Sequence, residues 1–281
     1  MLVHQKAHEG NLKLERGLAG HLPSPVSIED WHWATQLNQA AALRFGIEHF
    51  RSLSPLNTGV VVWQLNDDWP VVSWAAVDFH EHRKPLWFAL RAAYAPRLAT
   101  IQPRDGGPAA VLLNDTDEAW SGSVVARRLQ MDGTVLAEER WDAAVPARGE
   151  TTTPLPAAIT AFGDVAGEIV SVQPEGWTRA LLHPAEVVDQ ALDPSPLEAT
   201  AERSGADVVV TVTARSLARD VTLLVDRVDA GARVDEALVT LLAGESARFT
   251  ISGAAADADP DAFLDPLVVR HAGGLHAAVP A

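Results

Sequence analysis

The stretch WQLNDDWP, from Trp63 to Pro70, brings indole, amide and carboxylate side chains together within a few residues. An indole can stack on the C–H face of a sugar, and amides and carboxylates can hydrogen bond to sugar hydroxyls. The apolar run before this stretch predicts that Trp63 lies at the carboxyl end of a strand, where α/β barrels place their active sites. The residues alone leave an alternative open, in which Trp63 packs in a core and Trp69 covers a helix.

The neighbouring carboxylates of Asp67 and Asp68 could form a catalytic pair. Retaining glycosidases hold two carboxyl groups about 5–5.5 Å apart, on either side of the scissile bond. Side chains of adjacent residues in one loop rarely point in this way. The pattern therefore favours a structural role for both aspartates.

Histidine spacing and other short motifs are weaker candidates for a functional site. His4 and His8 could share one helical face, but the HExxH pattern is missing because Glu9 follows the second histidine. Residues 80–82, His-Glu-His, are explained by a solvated turn. Residues 114–116, Asn-Asp-Thr, match a glycosylation acceptor, but a turn explains them as well. We therefore expect neither a metal ion nor an organic cofactor.

Composition narrows the possible partners and location. The 281 residues carry a net charge of −15 and are 47% hydrophobic and 21% charged, as in globular proteins. This acidic balance argues against nucleic acids and anionic membranes as partners. Cysteine is absent, which excludes disulfides and thiol chemistry. Because we find no bilayer-length apolar run and no signal pattern after Met1, we expect a cytoplasmic protein.

The first hundred residues differ in composition from the remainder. They hold six of the nine tryptophans and seven of the ten histidines, and their charges balance. The remainder carries the whole net charge of −15. Aromatic, charge-balanced sequence suits a buried core or a ligand cleft, whereas acidic sequence suits solvated modules. This change predicts a domain boundary near residue 100.

Hydrophobic periodicity in residues 1–100 predicts a helix, a buried strand and a second helix, in that order. Apolar residues recur at helical spacing in residues 31–51, after Ser27 as a start signal. The continuous apolar run of residues 59–65 is typical of a parallel strand covered on both faces. A second helix is predicted from Pro85. This order is the unit of an α/β barrel, and because one unit cannot close a barrel, we expect the domain to be incomplete.

Short alternating or β-branched runs, separated by Gly, Pro and Asp turns, dominate the rest of the chain. They lie at residues 109–113, 123–129, 167–172, 207–214, 221–225, 247–251 and 266–271. Asp132-Gly133 and Ala230-Gly231 have the composition of hairpin turns. With a connector at residues 183–196, the pattern predicts two immunoglobulin-like β-sandwich domains, at 101–184 and 185–281.

The run WQLNDDWPVVSWAAVD at residues 63–78, followed by KPLWFALRAAY at residues 84–94, closely resembles the end of the barrel in family 2 β-mannosidases. Upstream residues 36–40 and downstream residues 214–245 also match this family. The resemblance implies that residues 1–100 are the C-terminal part of the (β/α)8 barrel. It further implies a retaining, exo-acting enzyme that removes terminal β-linked mannose from oligosaccharides.

The chain departs from this family at the catalytic carboxylates. The family places its acid/base glutamate in an Asn-Glu pair and its nucleophile in a Ser-Glu-Phe-Gly context, and neither motif occurs here. The resemblance therefore carries over no catalytic residue. It implies a C-terminal fragment that is inactive by itself, with the missing N-terminal part of the same enzyme as its partner.

Substrate contacts are what the resemblance does carry over. It implies that Trp63 is a wall of the terminal-sugar subsite, with Asn66 and Asp67 as nearby polar contacts or loop supports. Trp69 is a further candidate. A non-proline cis peptide after Trp63 is also a feature of related barrels.

Two other functions stay open at this point. The chain could belong to another family 2 exoglycosidase, such as a β-galactosidase or β-glucuronidase, although the WQLND spelling disfavours them. It could also be a non-catalytic carbohydrate-binding or structural module formed by the two sandwiches. Against such a module, the sandwiches offer only Trp120, Trp141 and Trp177 as an aromatic platform.

Overall fold

The computed structural model describes residues 2–57 and 59–276 of the chain. Most of its regular structure is β-sheet, with few helices. Contacts divide the chain into two compact units, one of residues 1–41, 62–89 and 186–281, and the other of residues 42–61 and 90–185. Each unit therefore joins part of the first hundred residues to one group of strands. The domain division at residues 100 and 184 stays a prediction.

Three helices longer than one turn lie in the described part of the first hundred residues: α1 (Gly10–Leu18), α2 (Ile28–Arg51) and α3 (Pro85–Ala93). The predicted helix at 31–51 is confirmed and begins three residues earlier, at Ile28. Ser27 explains this start, because its Oγ accepts the backbone N–H of Asp30 at 3.0 Å and satisfies an otherwise unpaired donor. The predicted start of the second helix at Pro85 is also confirmed. No helix in the described ranges is long and apolar enough to cross a membrane.

Residues 59–65, predicted to be a buried parallel strand, do not form one. Val61 is 97% exposed, and Leu65 is also exposed. Within the described ranges, only Gln64 and Leu65 of this segment accept hydrogen bonds from other backbone N–H groups, those of residues 76 and 77. A parallel strand needs hydrogen-bonded neighbours along its length. The prediction was wrong because apolar composition does not supply those neighbours.

The second unit contains two antiparallel sheets around one core. Its strands are β1 (Arg97–Arg104), β2 (Gly107–Asn114), β3 (Trp120–Gln130), β4 (Val135–Val145), β5 (Gly149–Pro154), β6 (Glu168–Pro174) and β7 (Ala180–Leu182), with the short helix α4 (Ala157–Thr160). The sheet orders are β1-β2-β5 and β4-β3-β6-β7. Leu112 of one sheet and Val124 and Val172 of the other are buried in the shared core. The predicted Asp132-Gly133 turn joins the paired strands β3 and β4, so it is confirmed.

The first unit has a second pair of sheets. Its strands are β8 (Leu197–Ser204), β9 (Asp207–Ala214), β10 (Ala218–Leu223), β11 (Arg233–Val234), β12 (Val239–Leu241), β13 (Ser246–Ser252) and β14 (Val269–Arg270). The sheet orders are β11-β13-β9-β8 and β12-β10-β14. Val210 and Phe249 of one sheet and Leu223 of the other share the core with Phe263.

The predicted hairpin at Ala230-Gly231 was wrong. The turn follows β10, which pairs with β12 and β14, and precedes β11, which pairs with β13. It therefore connects two different sheets. The dipeptide specifies a local turn, but it does not specify which strands pair. The assignments to a barrel and to immunoglobulin-like domains stay predictions.

Short 3₁₀ helices complete the described elements. They lie at Leu2–His4, Val187–Asp189, Val225–Arg227, Pro260–Leu264 and Ala272–Leu275. The last one is capped by His271, whose Nδ1 accepts the backbone N–H of Gly274 at 3.2 Å. Burial, followed by the charge of Arg270, lowers the pKa of His271 to about 4. The neutral imidazole is therefore the form that stabilises this end of the first unit.

Protonation of His271 should destabilise the fold in mild acid. Because the folded pKa lies below the unfolded value of 6.5, the stabilisation is complete above about pH 6.5 and is lost as the pH falls towards 4. Relative to His271→Gln, which keeps an acceptor but does not titrate, the parent should lose about 2 kcal/mol of unfolding free energy between pH 7 and pH 5. Urea unfolding at both pH values measures this difference. The exposed control His8→Gln should follow the parent, and equal pH slopes for the parent and His271→Gln would contradict the assignment.

Candidate functional site

The segment that carries the WQLND motif is held against the residues that follow it. Gln64 and Leu65 accept backbone hydrogen bonds from Ala76 and Val77 at 3.2 and 2.8 Å, and Asp67 donates to Val77 at 3.2 Å. These three bonds stand in place of the interstrand hydrogen bonds that a β-strand would make. They fix the backbone immediately after Trp63.

Trp63 presents its indole to solvent. The residue is 77% exposed. This exposure excludes the alternative that Trp63 packs in a core within this chain. The peptide bond between Trp63 and Gln64 is cis, so the cis peptide implied by the resemblance is confirmed. An exposed indole on a backbone fixed by hydrogen bonds is suited to stacking on a flat apolar ligand face.

Asp67 lies in the interior, in contrast to its neighbours. Its side chain is 1% exposed, and its Oδ1 lies 3.4 Å from the ammonium nitrogen of Lys6. Its Oδ2 accepts the hydroxyl of Ser73 at 2.5 Å and lies 3.9 Å from Lys84 Nζ. Burial lowers the pKa of Lys84, while the carboxylates of Asp67 and Asp78 act in the opposite direction. Asp67 is therefore a buried carboxylate between two partly buried ammonium groups.

Asn66 and Asp68 are exposed on either side of Asp67 and line a pocket of about 440 Å³. The other residues that line it include aromatic and acidic side chains. They are Leu65, Asp67, Val77, Asp78, Phe79, Glu81 and Trp87. Of the four predicted contact residues, the pocket brings together Asn66 and Asp67. Trp63 and Trp69 do not line it.

Trp69 has one face against an imidazole. Its ring centroid lies 6.2 Å from that of His4, and the two planes differ by 27°. His4 Nδ1 also lies 2.6 Å from the carbonyl oxygen of Pro70. This contact leaves Trp69 less accessible than Trp63.

Sequence reasoning missed several residues of this site. Lys6, Trp74 and Lys84 contact the motif, and Trp87 lines the pocket with the guanidinium of Arg83 4.2 Å from its ring centroid. Trp74, Lys84 and Trp87 stand within the matching stretches, so the resemblance pointed to their segment without giving their roles. Lys6 has no local signal, because its contact is made across 61 residues of sequence.

The other motifs form local structure. Asp78 accepts the backbone N–H groups of His80 and His82, which makes residues 78–82 a hydrogen-bonded turn. Asn114 is fully buried, and its amide donates to the carbonyls of Glu118 and Pro146. Over the described ranges, no group of three or more His, Cys, Asp or Glu side chains is arranged to hold a metal ion.

Two glycosidases are among the solved structures with a similar fold. The β-D-mannosidase of Dictyoglomus thermophilum matches 96% of this chain, with a TM-score of 0.78 and 23% identity. The exo-chitosanase CsxA of Amycolatopsis orientalis matches 88%, with a TM-score of 0.64 and 18% identity. At these identities the likeness concerns the fold. The chain spans 33% and 35% of the length of those two proteins.

The sequence relatives are fungal β-mannosidases, matched over a third of this chain. The chain is 31% identical over 96 residues to Beta-mannosidase B of Aspergillus niger and to that of Aspergillus oryzae. Each match covers 33% of this chain and 11% of the fungal enzyme. No protein-family model matches the chain. Together, the sequence and fold comparisons confirm that the chain resembles the C-terminal part of a family 2 β-mannosidase.

Trp63 and Phe88 should differ sharply in their effect on stability. Phe88 is buried on α3, so Phe88→Ala should cost about 3–5 kcal/mol of unfolding free energy through the cavity it leaves. Trp63→Ala removes an exposed ring and should change stability by no more than about 0.5 kcal/mol. Denaturant unfolding of both variants tests this contrast. Equal losses in the two variants would place the Trp63 ring in a packing role.

Proposed function

We propose that this chain is the C-terminal part of a retaining exo-β-D-mannosidase that removes terminal, non-reducing β-mannose from oligosaccharides. The observation that carries the proposal is the exposed indole of Trp63, within a chain that matches β-mannosidases in sequence and fold. In this proposal the indole forms one wall of the subsite for the terminal sugar. Stacking on the C–H face orients the ring without competing for its hydroxyls.

Polar residues after Trp63 divide into two roles. Asn66 is exposed and its side-chain amide can donate to or accept from a sugar hydroxyl. Asp67 is buried with both oxygens occupied, so its role is to support the loop. Trp69, with one face against His4, is a further candidate for contact with the sugar. The proposed sugar contacts need no cofactor or metal ion.

The chemical step belongs to carboxylates outside this chain. A retaining glycosidase needs a nucleophile and an acid/base on opposite sides of the bond that breaks. The Asn-Glu and Ser-Glu-Phe-Gly contexts for these groups are absent from the sequence. We infer that the missing N-terminal part of the enzyme supplies both glutamates. The exposed apolar residues Val3 and Leu65 suit contact with that partner.

A second candidate is an exoglycosidase of the same class with a different sugar specificity. The likeness to the exo-chitosanase CsxA over 88% of the chain favours this alternative. The identity is lower than with the Dictyoglomus enzyme, and the sequence relatives named above are β-mannosidases. Comparison of aryl β-mannoside, β-glucosaminide and β-galactoside as substrates of the longer enzyme decides between them.

A free-standing carbohydrate-binding module has less support. Trp177 is buried, and Trp120 and Trp141 pack against the core of their unit. These three rings therefore do not form an exposed platform for sugar stacking. Trp63, in the WQLND segment, is 77% exposed and offers the open indole face that these three lack.

The 281-residue chain should not hydrolyse an aryl β-mannoside by itself. Removing a catalytic nucleophile lowers the rate by many orders of magnitude, and this proposal places both catalytic groups elsewhere. Release of the aryl group, followed by absorbance, measures the rate. Turnover at about one to a thousand per second, as in ordinary enzymes, would contradict the proposal.

In a longer enzyme that contains this segment, Trp63→Ala should lower kcat/KM by about thirty- to a thousandfold. This range corresponds to a loss of roughly 2–4 kcal/mol in the transition state, from the aromatic contact and from distortion of the sugar ring. Phe88→Ala is the matched control, since it should lower the melting temperature and leave kcat/KM of the folded enzyme close to the parent value. A Trp63→Ala enzyme within about threefold of the parent would show that the indole does not contact the sugar.

A further inference from the structure

The buried carboxylate of Asp67 has a role that sugar binding alone does not explain. Its neighbours Asn66 and Asp68 are exposed, whereas its own side chain is 1% exposed. Removing a carboxylate from water is unfavourable unless the protein supplies opposite charges and hydrogen bonds. The position of Asp67 must therefore depend on its partners.

These partners occupy both carboxylate oxygens. Oδ1 lies 3.4 Å from Lys6 Nζ, and Oδ2 accepts the hydroxyl of Ser73 at 2.5 Å and lies 3.9 Å from Lys84 Nζ. The partners come from the N-terminal segment, from the loop after the motif and from the residue before α3. One carboxylate thus joins three segments that are separate in sequence. Because the Asp67 side chain is 1% exposed, its carboxylate is not open to a sugar hydroxyl.

Ser73 and Lys6 connect the carboxylate to Trp74. The Oγ of Ser73 accepts the backbone N–H of Ala75 at 3.1 Å, which fixes the backbone on one side of Trp74. Lys6 Nζ lies 5.5 Å from the centroid of the Trp74 ring, within range of a cation–π interaction. The ammonium group therefore interacts with Asp67 and with Trp74 at the same time.

Trp74 in turn contacts the residue after Trp63. Its Nε1 donates to Gln64 Oε1 at 3.4 Å, and Gln64 Nε2 donates to the carbonyl oxygen of Asn66 at 2.7 Å. Gln64 follows Trp63 directly, through the cis peptide. A continuous series of contacts thus leads from the buried carboxylate to the backbone that carries the exposed indole.

We propose that Asp67 is a positioning residue that sets the orientation of the Trp63 indole, acting through Lys6, Trp74 and Gln64. The inference rests on the proposed function, in which Trp63 contacts the sugar. Asp67 itself does not touch the substrate. Loss of its charge releases Lys6 from the carboxylate and so alters the environment of Trp74 and the orientation of Trp63.

Fluorine NMR of the 281-residue protein, labelled with 5-fluorotryptophan, tests this role. The signals of Trp63 and Trp74 are assigned with Trp63→Phe and Trp74→Phe. Asp67→Asn should move both signals by more than one linewidth. Asp68→Asn makes the same change of charge at the exposed neighbour and should leave both signals at their parent positions.

A variant of the core distinguishes a general loss of stability from a change in the orientation of Trp63. Ile251 is fully buried in the same unit, so Ile251→Val should lower the melting temperature and leave both signals in place. An Asp67→Asn protein that melts lower but keeps both signals unmoved overturns the proposal. If Asp67→Asn does not fold, Lys6→Met replaces it. A moved Trp63 signal in Lys6→Met then supports the proposal, and an unmoved one overturns it.

The outcome is independent of the proposed function. The fluorine signals report loop geometry in this chain, without substrate and without catalysis. If Trp63→Ala leaves kcat/KM unchanged in the longer enzyme, the sugar contact is wrong whatever the signals show. If the signals do not respond to Asp67, only the positioning role is wrong.

Discussion

Backbone hydrogen bonding sets the shape of the segment that carries Trp63. An apolar run becomes a strand only where neighbouring strands offer donors and acceptors along its length. Here the available partners are the backbone groups of residues 76 and 77, which pair with the segment from Gln64 onward. The segment does not become a strand, and its apolar side chains, among them Val61 and Trp63, are exposed. In the proposed enzyme, this surface is where the sugar meets the chain.

Electrostatics then fixes the loop that follows. The partly buried ammonium groups of Lys6 and Lys84 stabilise the buried carboxylate of Asp67, which would be unfavourable there alone. Breaking such a cluster at one member leaves an uncompensated buried charge, which is costly. The same contacts place Trp74 beside Gln64 and so link the interior of the loop to its exposed rim. Within one short motif, Asp67 supports the loop and Trp63 is the proposed contact with the sugar.

Features with a local cause could be predicted from the sequence. Helix α2 follows from the periodicity of its apolar residues and from the cap at Ser27. Strand β9, at Asp207–Ala214, coincides with the predicted run because alternation with β-branched residues suits a half-buried strand. The turn at Asp132-Gly133 joins paired strands, as its composition indicated. The likeness to β-mannosidases was also readable from one continuous motif, and this motif located the candidate site.

The tertiary structure alone decided which residues of that motif are buried and which are exposed. Asp67 and Asp68 are neighbours in sequence, yet Asp67 is buried beside Lys84 and beside Lys6, 61 residues away, whereas Asp68 is exposed. The same limit explains the turn at Ala230-Gly231, whose flanking strands pair elsewhere. It also explains why the run at 59–65 is not a strand. Periodicity and turn composition act over a few residues, whereas burial, ion pairing and strand pairing depend on partners that only the folded chain brings close.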